Sequence, residues 1–334
     1  MTNPATGTPP PKQKSALRLV KTADLSRDQW LDVRKKGIGS SDAAAAVGLN
    51  PYKSQLELWM EKTGRDQNLP KIDPQDDTSP IYWGTLLESF VAAAYTKRTG
   101  NRVRKINAVL QHPDPMMPWA LANIDREVIG DPVVSVLECK TTGINGMRLW
   151  REGVPEYIAI QVNHQLAVTG KQAADVAVLI CGQDLQVHRI FRDESLIANL
   201  MELERRFWAY VEQDTPPPAD GSESSDTALR ALFPNDAGNT VDFSQDVGLS
   251  AAFSDLVSVR EVIAEKTKLE AQLKQRIQQA MGDASRASFE TGEVSWKKSK
   301  DGLGLDVDSL LKAQPDLLQR FPLVKPGSRR FIFV

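Results

Sequence analysis

Cysteine is scarce in this chain, and long hydrophobic runs are missing. Cys139 and Cys181 are the only cysteines among 334 residues, too few for a disulfide framework or for a four-cysteine zinc or iron–sulphur site within one chain. No stretch approaches the roughly 20 apolar residues of a membrane-spanning helix, and the first twenty residues contain no hydrophobic run. These absences predict a reducing, cytoplasmic location.

An excess of positive charge is missing as well. The chain has 41 Lys and Arg residues against 43 Asp and Glu, and its formal net charge is −2. Proteins that coat nucleic acids are usually far more basic, whereas an enzyme that acts on nucleic acid needs only a local positive groove. Composition alone therefore leaves the binding partner open.

Composition and periodicity predict two folded regions. Residues 1–15 are rich in Pro, Thr and Lys and are predicted to be a disordered tail. Residues 16–213 alternate helical and strand-like patterns, which predicts an α/β domain with a mixed central sheet flanked by helices. A segment rich in Pro, Ser and Asp, residues 214–226, is the predicted linker to a smaller α+β region at 227–334.

Capping residues give the strongest helix signals. Ser26 opens the helix RDQWLDVRKK, Gly64 closes SQLELWMEKT, and Gly100 closes IYWGTLLESFVAAAYTKRT. Ser40 or Ser41 is expected to cap the apolar run AAAAVGL. Two later helices, over PEYIAIQVNHQLAVT and DESLIANLMELERRFWAYVEQ, complete the helical part of the first region.

Strand signals begin after Gly100. The predicted strand segments are NRVRKINAVL, WALANIDREVIG and VVSVLECK, followed by ADVAVLI and LQVHRIF. Gly130, Asp131 and Pro132 predict a hairpin turn between the second and third of these segments.

The C-terminal region combines a long helical stripe with a hairpin. Thr291 and Gly292 mark the turn of SFETGEVSWKK, and RRFIFV is a predicted final strand. Helical or coiled-coil spacing is shared by Leu256, Val259, Ile263, Leu273, Ile277 and Ala280.

The segment VLECK, residues 136–140, places two charges on one face of a strand. Because side chains alternate along a strand, Glu138 and Lys140 share a face. Charges on an otherwise apolar strand need partners, since an unpaired buried charge is costly. This pair alone is equally compatible with a salt bridge at the end of a strand.

Asp125 supplies a second carboxylate. A symmetric hairpin centred between Asp131 and Pro132 puts Asp125 directly opposite Glu138, on the same face. Two carboxylates held this close repel each other unless a cation neutralises them, and oxygen-rich sites suit Mg²⁺ or Mn²⁺. A solvated hairpin with an unrelated aspartate is the alternative.

Glu88 is a third acid in an unusual position. Its neighbours one turn away on the helix are small or apolar, so its carboxylate is predicted to lie within the buried stripe. With Asp125, Glu138 and Lys140 it predicts a hydrolytic site, in which a metal polarises a phosphodiester and Lys140 orients the attacking water. The number of ions stays open.

In this order, the residues resemble the PD-(D/E)xK nuclease superfamily, and more narrowly the family of YqaJ-like viral recombinases and phage lambda exonuclease. The similarity runs from about Trp30 to Val211. It consists of W-x-x-x-R with G-I-G-S-S-D, W-G-x-x-x-E ending at Glu88, Asp125, E-C-K-T, and Q-V-N-H-Q-L-A-V-T-G starting at Gln161. The aspartate stands in N-I-D-R instead of the family's commoner P-D-G.

The resemblance implies a restriction-endonuclease-like core that binds a divalent metal. The metal ligands would be Glu88, Asp125 and Glu138, and Lys140 would be the catalytic lysine.

Three further residues match DNA-contacting positions of the family. Arg34 and Ser41 match the residues that hold a terminal 5′-phosphate, a role that suits a guanidinium and a hydroxyl near a helix N-terminus. Gln161 falls on the helix that carries the family's site-lining glutamine. Without the resemblance, Ser41 would be a helix cap, Arg34 a surface charge and Gln161 an amide on a half-buried face.

The implied activity is 5′→3′ digestion of double-stranded DNA ends, which leaves 3′ single-stranded overhangs for phage-type recombination. A single-strand annealing protein and a homotrimeric ring are implied by analogy only. The alternatives are an endonuclease, a nuclease of single strands or RNA, and a DNA-binding or assembly protein that has lost catalysis.

Overall fold

A computed structural model describes residues 15–71, 73–325 and 327–333. Contacts divide the chain into two units, residues 1–234 and 235–334. The predicted disordered tail, residues 1–15, lies outside the described residues except for Ser15. Within the described residues, no helix combines the length and the apolar character needed to cross a membrane.

The capping residues that the sequence predicted, Ser26, Gly64 and Gly100, mark helix ends in the first unit. Ser26 accepts a hydrogen bond from the Gln29 amide at the start of α1, and Gly64 and Gly100 end α3 and α4 in the left-handed region, with φ of 71° and 77°. The bounds are α1 (Arg27–Lys35), α2 (Ala43–Ala46), α3 (Gln55–Thr63), α4 (Pro80–Thr99), α5 (Glu156–Thr169), α6 (Glu194–Glu212) and α7 (Glu223–Leu232).

The segment before α2 differs from the prediction. Ser40–Asp42 form a short 3₁₀ helix, and neither Ser40 nor Ser41 caps α2 through its side chain. The Ser41 hydroxyl instead accepts a hydrogen bond from Arg34, and the Ser40 hydroxyl donates to the main-chain oxygen of Asn123. Both hydroxyls, one of which was expected to cap α2, are therefore hydrogen-bonded to residues outside that helix.

The predicted linker, residues 214–226, falls inside the first unit. Its last residues begin α7, where the Ser224 hydroxyl donates to Glu57 (2.6 Å) and accepts a hydrogen bond from the main-chain amide of Ser54 (2.7 Å) on the α3 side. The boundary between the two units lies after Pro234. Composition did not reveal the position of this boundary, because the start of α7 is polar and rich in small residues and therefore has the composition of a linker.

A five-stranded mixed sheet forms the centre of the first unit. Its order is β2-β5-β6-β7-β8, in which β6 and β7 run parallel and the other neighbours antiparallel. The prediction of a mixed sheet flanked by helices is confirmed. The bounds are β2 (Arg102–Arg104), β5 (Arg126–Ile129), β6 (Val134–Thr142), β7 (Ala173–Ile180) and β8 (Asp184–Phe191).

A second, three-stranded sheet was not predicted. It consists of β1 (Leu17–Lys21), β3 (Ala108–Gln111) and β4 (Leu121–Ala122), in the order β1-β3-β4. The treatment of NRVRKINAVL as one strand is therefore wrong, because β2 and β3 belong to different sheets. β1 escaped detection because its residues are mostly exposed and show no burial alternation.

The β5–β6 hairpin has the predicted register. Arg126 pairs with Leu137 and Glu127 with Val136. Continuing this register by one step sets Asp125, which immediately precedes β5, opposite Glu138. The centre of the hairpin lies between Asp131 and Pro132, as the turn residues predicted.

Helices cover both faces of the central sheet. Val136 belongs to a core with Val162 and Leu166 of α5, whereas Leu137 belongs to a second core with Val91 and Tyr95 of α4. The two alternating faces of β6 therefore face α5 on one side and α4 on the other.

The second unit contains the predicted long helix and hairpin. Its elements are α8 (Val247–Met281), β9 (Arg286–Phe289), β10 (Gly292–Ser295), α9 (Val307–Ala313) and α10 (Leu317–Arg320). The predicted final strand RRFIFV is wrong over its described residues, 329–333, which pair with no strand. Phe333 instead stacks on Phe253, with ring centroids 5.5 Å apart.

Candidate functional site

Glu138 is the centre of a buried hydrogen-bond network. Its side chain is 3% exposed. Its Oε1 accepts hydrogen bonds from Lys140 Nζ (2.6 Å) and Gln161 Nε2 (2.6 Å), and its Oε2 accepts one from Gln165 Nε2 (2.8 Å). Three hydrogen bonds therefore hold this carboxylate in place, and in each of them a carboxylate oxygen is the acceptor.

Asp125 lies beside Glu138, as the hairpin register requires. Its Oδ2 accepts a hydrogen bond from the main-chain amide of Cys139 (2.8 Å). Burial, followed by the charge of Glu138, raises the pKa of Asp125 to about 8, and the charge of Glu88 adds to this effect. The surroundings therefore supply too little positive charge to keep Asp125 ionised beside Glu138 at a pH below about 8.

Lys140 is the cation nearest to this pair. Burial opposes its charged form, but the Glu138 and Asp125 carboxylates outweigh burial and raise the pKa of Lys140. Its ammonium group also donates to Gln161 Oε1 (3.1 Å). Lys140 is thus held as a protonated donor, which suits orienting a water or stabilising negative charge better than accepting a proton.

Glu88 occupies a different position from the one expected. Its side chain is 26% exposed, so it lies at the edge of the buried stripe of α4 and not in its middle. Its carboxylate accepts a hydrogen bond from Arg126, whose guanidinium also donates to the main-chain oxygen of Asp125. Glu88 is near enough to act on the pKa of Asp125, but it comes from the helix on the opposite face of the sheet from α5.

The three candidate ligands Glu88, Asp125 and Glu138 fit a metal ion by their chemistry but not by the arrangement of all three. Among the residues that the structure describes, no group of three or more His, Cys, Asp or Glu side chains is arranged to hold a metal, and the Glu88 carboxylate is turned to Arg126. The chemistry of the acids nevertheless fits a hard divalent cation, because the buried Glu138 carboxylate and the half-buried Asp125 carboxylate lie together with one ammonium group. The pair Asp125–Glu138 is the part that fits best.

A second charged cluster surrounds Asp42. Arg34 donates to the Asp42 carboxylate and to the Ser41 hydroxyl (3.1 Å), and Lys62 Nζ donates to Asp42 Oδ2 (2.7 Å). Burial opposes the ionised form of Asp42, but Arg34 and Lys62 outweigh it and hold its pKa well below the usual range. The sequence-predicted pair Arg34 and Ser41 is thus brought together, with Ser41 itself exposed.

The main-chain oxygen of Asn123 joins the two clusters. It accepts hydrogen bonds from the Ser40 hydroxyl (3.5 Å) and from Gln165 Nε2 (3.1 Å). Ser40 precedes Ser41 in the chain, and Asn123 lies two residues before Asp125. The segment that carries Ser41 is therefore attached close to the acidic pair.

Sequence reasoning missed Gln165, Arg126, Asp42 and Lys62. Gln165 was within reach, because it follows Gln161 by four residues and so lies on the same helix face. No local pattern pointed to Lys62, because its partner Asp42 is twenty residues away and the contact depends on how α3 packs against the 3₁₀ helix Ser40–Asp42.

Known proteins resemble this chain over different lengths. The sequence model of a family described as "YqaJ-like viral recombinase domain" matches residues 29–172. A Bacillus subtilis (strain 168) protein described as "Uncharacterized protein YqaJ" is 33% identical over 315 residues, covering 92% of this chain and 94% of that protein. "Protein D345L" of African swine fever virus (strain Badajoz 1971 Vero-adapted) is 38% identical over 73 residues, 22% of this chain and 19% of that protein.

A solved structure is similar as well. The crystal structure of an alkaline exonuclease (LHK-Exo) from Laribacter hongkongensis has 22% sequence identity and a TM-score of 0.45, and the match covers 56% of this chain and 93% of that chain.

Proposed function

Because the chain belongs to the YqaJ-like viral recombinase family, we propose that it is a metal-dependent nuclease that digests double-stranded DNA from its ends. The observation that carries the proposal is the adjacent pair of the half-buried Asp125 and the buried Glu138, with Lys140 bonded to Glu138. Two adjacent acids, one of them with a pKa raised to about 8, need a cation to be ionised together at neutral pH.

The proposed ligands of Mg²⁺ or Mn²⁺ are Asp125, Glu138 and Glu88. The first two are supported by their juxtaposition, and Glu88 by its effect on the pKa of Asp125. When bound, the ion would polarise the phosphodiester and offset the charge that develops on the leaving oxygen.

The remaining side chains have separate tasks in this proposal. Lys140, held by Glu138 and Gln161, orients the attacking water and stabilises negative charge at the phosphorus. Arg34 and Ser41 bind the terminal 5′-phosphate. Ser41 is exposed and the Arg34 side chain is 28% exposed, so both are open to a ligand.

Family resemblance supports the finer parts of the proposal. These are digestion in the 5′→3′ direction, 3′ single-stranded overhangs as products, a single-strand annealing protein as partner and a homotrimeric assembly. The biological process would be phage-type homologous recombination.

The test is digestion of linear duplex DNA labelled at one end, with Mg²⁺ or with EDTA, on 5′-phosphate and 5′-hydroxyl ends. Nicked and covalently closed DNA and a single strand of the same sequence serve as matched substrates. We expect nucleotides to be released from linear duplex only with Mg²⁺, and faster from 5′-phosphorylated ends.

Each other outcome contradicts part of the proposal. Cleavage of closed circles at a comparable rate would identify an endonuclease, and digestion confined to the single strand would identify a single-strand nuclease. Absence of metal-dependent release from every substrate would identify a non-catalytic protein.

A further inference from the structure

The long helix α8 exposes apolar side chains along its length. None of its residues from Val247 to Met281 is buried. Exposure reaches 52% at Val259, 58% at Ile263 and 52% at Leu273. Most of the stability of a helix in a protein comes from packing an apolar face. Within the described residues, this face of α8 is largely uncovered, although Ile277 is half-buried.

The apolar residues follow a coiled-coil pattern with a charged centre. Spacings of three and four residues alternate from Leu256 through Val259 to Ile263, and again from Leu273 through Ile277 to Ala280. The two seam positions between these groups are Lys266 and Glu270. A polar residue at a seam position sets the register and orientation of a coiled coil at some loss of stability.

The charges at the centre favour one arrangement of two helices. If two copies of α8 lie antiparallel about an axis near Lys268, Lys266 of each copy faces Glu270 of the other, giving two attractive pairs. In a parallel arrangement, Lys266 faces Lys266 and Glu270 faces Glu270, and like charges directly opposite repel.

The antiparallel register also matches the apolar residues. Ile263 then faces Leu273 of the partner subunit, and Val259 faces Ile277 of the partner subunit. Leu269, 45% exposed, lies beside the seam position Glu270, close to the level of the axis. Apolar contacts on both sides of the charged centre thus form in the same register that pairs the charges.

We infer that α8 is a self-association surface, and that its partner is α8 of a second copy of this chain in antiparallel orientation. Lys266 and Glu270 select the orientation, and the apolar seam provides the contact area. The inference does not depend on the proposed nuclease activity, and this two-fold contact is separate from the contacts of the proposed homotrimeric assembly.

Charge-swapped variants of the full chain test the inference, with association measured by sedimentation over a concentration series. Lys266→Glu and Glu270→Lys should each weaken association roughly tenfold, because each replaces two attractive contacts by two repulsive ones. The double variant Lys266→Glu/Glu270→Lys restores opposite charges in an antiparallel pair, and should associate as the unaltered chain does.

Matched controls lie on the opposite side of the same helix. Lys268→Glu and Glu261→Lys make the same charge changes at exposed positions away from the seam, and should leave association unchanged. All these positions are exposed, and circular dichroism checks that helix content is retained.

Three results would overturn the inference. The first is that the unaltered chain does not associate, which would leave the face to another partner. The second is that Lys266→Glu weakens association no more than Lys268→Glu. The third is a double variant as weak as the single variants, because only an antiparallel pair recovers its attraction when both charges are exchanged.

Discussion

Two buried clusters of charge in the first unit contain similar residues but have opposite electrostatic balance. At Asp42, one buried carboxylate lies between Arg34 and Lys62, and these cations hold its pKa well below the usual range despite burial. At Asp125, burial and a second carboxylate, Glu138, raise the pKa to about 8. In the first cluster the protein's own cations keep the carboxylate ionised, whereas in the second they are too few to keep Asp125 ionised at a pH below about 8.

This difference separates a structural use of buried charge from a functional one. A buried carboxylate with bonded cations ties its elements together, and removing one partner leaves an uncompensated charge. A buried carboxylate beside another acid destabilises the fold unless a ligand supplies positive charge. The two clusters should therefore respond in opposite ways when their charges are changed.

Removing the Lys140 ammonium group from the acid-rich cluster, which consists of Asp125, Glu138 and Lys140, should have the largest effect. We expect Lys140→Ala to lower the rate of Mg²⁺-dependent nucleotide release by at least about a hundredfold, because the group that orients water and stabilises charge is lost. Lys97→Ala, at an exposed position of α4, should retain the unaltered rate. If the rate of Lys140→Ala stays within twofold of the rate of the unaltered chain, then Lys140 has no role in the reaction.

Neutralising the acid of the complete cluster should destabilise the fold. Asp42→Asn leaves Lys62 buried without its counter-charge, and we expect a loss of about 3 kcal/mol in the free energy of unfolding, measured with urea. Asp24→Asn at an exposed position is the control, and Asp42→Glu, which keeps the charge, should recover part of the loss. Equal stability of Asp42→Asn and the control would mean that the Asp42 cluster contributes nothing to the fold.

The same substitution in the acid-rich cluster should act in the opposite direction. The folded pKa of Asp125, about 8, is above that of an unfolded aspartate, so the folded state binds more protons in between. Without metal, stability should therefore fall as the pH rises from about 4 to about 8. Asp125→Asn cannot ionise and should exceed the unaltered chain at pH 8 by more than about 1.4 kcal/mol.

Urea denaturation in EDTA across this pH range measures the Asp125 effect. A difference between Asp125→Asn and the unaltered chain that grows with pH is the expected result. A constant difference, or a less stable variant at pH 8, would contradict the idea that Asp125 is strained by its neighbours.

The smallest predicted effect concerns Arg34, the partly exposed residue of the Asp42 cluster that is proposed to bind the terminal 5′-phosphate. Arg34→Ala should reduce the preference for 5′-phosphorylated ends about tenfold, the value of one hydrogen bond to a charged group. Arg27→Ala, exposed on the same helix, should keep the preference. If Arg34→Ala slows digestion of both kinds of end equally, then Arg34 supports the fold and does not read the phosphate.

Local signals in the sequence were sufficient for much of the fold and for the acidic pair. Ser26, Gly64 and Gly100 fixed helix ends because capping depends on neighbouring residues. The turn at Asp131–Pro132 fixed the hairpin register, and with it the opposition of Asp125 and Glu138. These features need no knowledge of distant contacts.

Distant contacts account for what the sequence did not reveal. The carboxylate of Glu88 binds Arg126, a contact that depends on how α4 lies against β5. The hydroxyls of Ser40 and Ser41 serve Asn123 and Arg34 instead of a helix start. No local sequence pattern predicts these contacts, because the two residues of each contact belong to different elements of the fold.

The most direct test of a cation site at Asp125 is the thermal stability of the unaltered chain and of Asp125→Asn at pH 8, with Mg²⁺ or Mn²⁺ and at matched ionic strength without them. An ion that binds only the folded state raises its stability by mass action. The account predicts a metal-dependent rise in Tm for the unaltered chain and none for Asp125→Asn. The same rise in both proteins, or in neither, would contradict it.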